Sequence, residues 1–120
     1  MGGSTEGTAE PAEPATGSAD VNVSFGDMWI KADAPTVKAG EVSFSVENDG
    51  ATMHGMAIVP APAKVSGGIV DESTYVAKGA DLEAGASETI SAELEPGSYE
   101  LICYMAGHYA AGQTMPFEVR

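Results

Sequence analysis

Cysteine occurs once in this 120-residue chain, histidine twice, and lysine and arginine together five times. Each scarcity removes a class of structure or function. One thiol cannot form an internal disulfide, nor the paired cysteines that structural zinc sites use. Cysteine usage therefore leaves the redox compartment open. Five basic against 18 acidic side chains leave a formal net charge of −13. Nucleic acid and anionic membrane surfaces repel such a chain, so the expected partners are proteins with a basic face. No apolar run reaches the ~18 residues that a membrane-spanning helix needs. The opening "MGGSTEG" has neither the basic nor the apolar region of an export signal, so an exported protein of this sequence would already have lost its signal. There is no phosphate-cradling "GxxxxGK" loop. Serine is plentiful, but a hydrolytic triad would have to draw on one of only two histidines.

Beyond Met1, residues 1–19 contain no large apolar side chain. Such a segment cannot bury enough surface to offset its ordering entropy, so 1–19 is expected to be a disordered tail or tether. Residues 20–120 are then one compact domain with one core. Within them, "VNVSF" (21–25), "EVSFSVEN" (41–48) and "ETISAELE" (88–95) alternate apolar and polar residues. "HGMAIVP" (54–60), "SYELICYM" (98–105) and "TMPFEVR" (114–120) are further strand-like runs. Turn signals separate them: "KAG" before Glu41, "NDG" at 48–50 and "EPG" at 95–97. Short strands punctuated in this way predict an all-β sandwich or barrel. "DESTYVAKG" (71–79) has an acidic capping start and a terminal glycine, which predicts one short helix. Trp29 is expected in the core. Asn48 and Asp49 are expected as turn residues, with side-chain bonding that could steady the His54 loop.

The strong nitrogen and sulfur donors number three: His54, Cys103 and His108. Two imidazoles and one thiolate in a trigonal arrangement, with a weak axial fourth donor, make the type 1 copper set. Cys103 ends an apolar strand, and His108 follows across a tight loop containing Gly107. His54 starts a different strand, whose end a sandwich can bring beside residues 103–115. Met53, Met56 and Met105 flank these donors and are read as core packing and an apolar skirt; thioethers are also soft donors for Cu(I). Tyr104 and Tyr109, next to the donors, are read as core or surface packing residues, with a place on an electron route as the alternative.

Two segments carry a family resemblance. "AGEVSFSVENDGATMHGMAI" (39–58) and "PGSYELICYMAGHYAAGQTMPFEV" (96–119) resemble, in this order, the paired segments of the cupredoxins, the small blue copper proteins of the plastocyanin, azurin and sulfocyanin type. The resemblance spans about residues 21–119 and implies a Greek-key β-sandwich, one bound copper ion and one-electron transfer. It implies His54 as the first imidazole ligand, Cys103 as the thiolate and His108 as the second imidazole. The family usually has methionine five positions after that second histidine, where this chain has Gln113. Gln113 is then an axial ligand through its amide oxygen, as in stellacyanin-like members, or Met115 takes that place. Along a strand the two residues share a face but lie about 6–7 Å apart, and the loop pinned by Cys103 and His108 favours the nearer Gln113. A full set of four ligands leaves no open position for a substrate, so no enzyme is expected. The expectation is a monomeric extracytoplasmic shuttle, periplasmic or tethered at the cell surface, exchanging electrons with redox proteins through the edge of His108. A copper-delivery protein and a metal-free β-sandwich binding module are the alternatives.

Overall fold

The computed structural model describes residues 19–120. The expected tail, 1–19, lies outside the described residues apart from Ala19. The chain forms eleven strands: β1 (Val21–Gly26), β2 (Trp29–Ala32), β3 (Thr36–Val37), β4 (Gly40–Asn48), β5 (Met56–Pro60), β6 (Val65–Ser66), β7 (Ile69–Val70), β8 (Ala77–Lys78), β9 (Ser87–Leu94), β10 (Gly97–Cys103) and β11 (Thr114–Val119). One sheet has the order β2-β1-β4-β9 and the other β3-β11-β10-β5-β8; β6 and β7 form a separate hairpin. The pairs β1/β4 and β3/β11 are parallel, and the other pairs in these sheets are antiparallel. This is the Greek-key β-sandwich expected from the sequence.

Alternation explains the first sheet. Val42, Phe44 and Val46 of β4 are buried, as are Val21, Val23 and Phe25 of β1. They meet Met56, Ile58, Leu101, Cys103, Phe117 and Val119 from the second sheet. Phe44 and Phe117 face each other across the sandwich with ring centroids 5.7 Å apart. Each such apolar side chain withdrawn from water contributes about 1.5–3 kcal/mol. The second sheet is buried on both faces at its centre, which is why "MAIV" and "LIC" are continuous apolar runs. Its outer face packs Ala57, Val59, Ile102 and the β7 residue Val70 against Tyr75, Tyr104 and Tyr109.

Two expectations need correction. The helix over 71–79 is a single 3-10 turn, Glu72–Thr74, capped by Asp71 accepting from the Ser73 N–H. Tyr75 already has extended backbone. The Val76 N–H then donates to Ile58 O and the Gly79 N–H to Met56 O, so the sheet edge at β5 captures the segment as β8. Trp29 does not belong to the core. It opens β2 on the solvent side, 39% exposed, with Lys31 Nζ 4.8 Å over its ring, and Ile30 takes the buried position.

Candidate metal centre

Three strand ends converge at one end of the sandwich. His54 precedes β5, Cys103 closes β10, and Gln113 precedes β11. His108 lies in the loop between Cys103 and Gln113. That loop is a compact set of turns: His108 N–H donates to Met105 O, Gly112 N–H to Tyr109 O and Gln113 N–H to His108 O. Its mouth is closed by the Cys103 N–H donating to Gln113 O across 3.2 Å. Gly107, at φ 83°, supplies a left-handed position that an L side chain rarely adopts.

The structure brings His54, Cys103 and His108 together, with their donor atoms within 4.8 Å of one another. Cys103 Sγ lies 3.3 Å from His108 Nδ1 and 3.8 Å from His54 Nδ1. The two imidazole rings stand 5.0 Å apart at 57°. His54 and Cys103 are buried, whereas His108 is half-buried among the exposed Ala106, Gly107, Ala110 and Ala111. Burial pushes the Cys103 thiol above its ordinary range.

Gln113 is wholly buried. Its amide nitrogen donates to the carbonyls of Gly26 and Trp29, which employs both hydrogens and orients the amide. Its oxygen, Oε1, is buried with no hydrogen-bond partner among the described residues. An orphaned buried carbonyl oxygen costs about 1–3 kcal/mol unless something else uses its lone pairs. Met115 sits one residue pair further along the same strand face, half-buried and packed against the main core.

Asn48 does more than turn the chain. It is buried, its Nδ2 donates to Thr52 O and Leu82 O at 2.8 Å each, and its Oδ1 accepts the Gly50 N–H. The backbone of His54 pairs in both directions with that of Leu82. The His54 loop is thereby fixed to the segment before β9.

Sequence reasoning missed Asp27, in the β1–β2 turn. Its Oδ1 lies 2.6 Å from His54 Nε2. The Ala51 N–H, then the His54 ring and the Thr52 hydroxyl, hold the Asp27 carboxyl well below the usual carboxylate range. Asp27 lies far from every donor in the chain and belongs to no motif, so nothing in the sequence marks it. Tyr104 and Tyr109 pack on the outer face of the second sheet. Tyr104 donates to Asp81 Oδ1, and Tyr109 to Glu100 Oε1 across 2.9 Å. Burial first, and the Asp81 carboxylate second, push the Tyr104 phenol upward.

No protein-family model and no curated protein sequence matches the chain. Solved structures do. Reduced auracyanin from Roseiflexus castenholzii superposes with a TM-score of 0.67 at 22% identity, covering 82% of this chain and 94% of that one. Auracyanin A, a blue copper protein from Chloroflexus aurantiacus, gives 0.62 at 19% identity, covering 83% of this chain and 98% of that one. A methionine-to-glutamine mutant of rusticyanin gives 0.70 at 17% identity, covering 83% of this chain and 76% of that one. The fold is therefore the cupredoxin fold.

Proposed function

We propose that this protein is a type 1 copper electron-transfer protein, in which His54, Cys103, His108 and the Gln113 Oε1 atom would hold the ion. The observation that carries the reading is the donor set itself. Two imidazole nitrogens and one thiol sulfur sit within 4.8 Å of one another, and Gln113, at the end of the same loop, holds a buried amide oxygen that nothing else in the described protein uses. That set suits copper and lacks the paired cysteines of a structural zinc site. It also supports Gln113 over Met115, because Met115 already has packing partners in the core.

Bound copper would supply the one-electron chemistry. The protein supplies the rest. Cys103, buried at the end of β10, offers its sulfur as a thiolate. His54 and Gln113 are locked by bonds through their other atoms, so the donor positions need not rearrange when the charge of the site changes. The surrounding core excludes water from three of the four donors. His108 is the half-buried one, and the small exposed residues around it let a partner approach closely. Electrons would therefore enter and leave by its edge.

The acidic surface selects redox partners with a basic face, and the protein works as a monomer outside the cytoplasm. A full donor set leaves no position for a substrate, so it is not an enzyme. Titrating the metal-free protein with Cu(II) should produce an intense visible absorption that a reductant bleaches reversibly. Cys103→Ser should not develop it. A protein that binds Cu(I) tightly without colour would be a delivery protein, and one that binds neither ion would be a metal-free module; either result overturns the reading.

A further inference from the structure

We propose that Asp27 is a positioning residue of this centre: its carboxylate sets the tautomer of His54 and strengthens that ring as a donor, so that the oxidised ion is favoured. The inference rests on the reading of His54 as a copper ligand and adds to it a residue from a separate part of the chain.

The geometry is specific. Asp27 Oδ1 is 2.6 Å from His54 Nε2, a short charge-assisted contact. The carboxylate accepts two more bonds from the same loop, from the Thr52 hydroxyl at 2.9 Å and the Ala51 N–H at 2.9 Å. It is thus clamped at the Nε2 edge of the ring by the segment that carries the ring. Glycine at position 50 is part of the arrangement. A Cβ there would stand 2.9 Å from His54 Nε2 and closer still to Asp27 Oδ1, so no larger residue leaves room for the pair.

The chemistry follows from the acceptor. A carboxylate facing Nε2 requires the proton on that nitrogen, which leaves the lone pair on Nδ1, the atom directed at Cys103. His54 is 1% exposed, so water does not offer the ring an alternative partner. A negative group on the far side of an imidazole raises its basicity and, by its charge, stabilises the more positive state of a metal at the near side. Both effects have the same sign and lower the reduction potential. His108 has no carboxylate partner among the described residues, so the two imidazoles are unequal donors.

The test uses the full chain and Asp27→Asn, which keeps the shape and removes the charge. Nitrogen NMR of the metal-free wild-type protein should show His54 protonated at Nε2 alone. Asp27→Asn should remain blue with Cu(II), bind it about 10- to 100-fold more weakly against a competing chelator, and have a higher midpoint potential. Thr52→Val, which removes one clamp on Asp27 and the hydroxyl 3.4 Å from His54 Nε2 but leaves the carboxylate–imidazole hydrogen bond, should move potential and affinity the same way by less. A wild-type ring protonated at Nδ1 would overturn the proposal whether or not the variant folds. So would an unchanged potential and affinity in Asp27→Asn, even alongside a lowered melting temperature, since that pattern means a merely structural role. A wild-type protein that fails to turn blue would instead sink the copper reading itself.

Discussion

The side-chain amide of Gln113 donates to the backbone carbonyl of Trp29 across 3.1 Å, joining the end of the metal loop to the start of β2. This bond, with the one to Gly26, turns the amide oxygen away from the backbone and leaves it unpartnered. An amide oxygen is a harder donor than a thioether and favours Cu(II) over Cu(I). Gln113→Met should therefore raise the reduction potential while the blue absorption survives on the Cys103 sulfur. Met115→Leu should leave the potential alone and cost under about 1.5 kcal/mol, as volume-conserving swaps do. Voltammetry on the two variants checks this, and a potential that answers to Met115 but not to Gln113 would move the axial role.

Asn48 is the hub of the loop that carries His54. Asn48→Ala removes two donors and one acceptor from buried or half-buried backbone partners. The expected cost is about 2–4 kcal/mol, read from denaturant unfolding of the metal-free protein. A loss below about 0.5 kcal/mol would show that the loop is held without it.

Asp33 ties the two edges of the β1–β2 ribbon. It accepts from the Asn22 backbone N–H at 2.8 Å and from the Asn22 side-chain amide at 2.7 Å, and these bonds lower its carboxyl below the ordinary value. A lowered folded value means stability that is present above the unfolded carboxyl range, near pH 4, and is lost as pH falls through the folded value. Asp33→Asn should cost roughly 0.5–1 kcal/mol at pH 7, small because water screens the group. The gap from wild type should narrow in unfolding curves taken near pH 2–3. A gap independent of pH would mean the carboxylate charge contributes nothing.

Net charge of −13 should govern encounter with partners. Electron transfer from a small basic haem protein, followed by stopped flow, should slow steeply between low and high salt, because exposed charges are screened beyond roughly 8 Å at physiological ionic strength. Rates indifferent to salt would indicate docking through the apolar surround of His108 alone.

Six long strands are legible in the sequence because each spans five or more residues bounded by turn residues. The short strands β2, β3, β6, β7 and β8 are not, since two to four residues are too few to show a period. The segment 71–79 shows a second limit. Asp71 caps a turn as its composition predicts, but the exposed edge of β5 offers backbone partners that a helix would forgo. Trp29 shows a third: side-chain size argues for burial, and strand parity gives the inward place to Ile30. At the candidate centre, the proposed donors His54, Cys103, His108 and Gln113 are each legible from their chemistry and order along the chain. Asp27 is not, because its role depends on two turns meeting in space.

Enclosure of the donors also bears on how long the centre holds what it binds. His54, Cys103 and Gln113 are sealed, and the loop from Tyr104 to Gly112 is stitched to itself by backbone bonds. Exchange of a bound ion with a chelator or another protein would then be slowed by the need for those turns to open, a local unfolding event. Residence of the ion would then follow the loop's opening rate. A protein that hands its cargo on needs an easy exit; on the proposed reading this site would retain its ion and exchange only electrons.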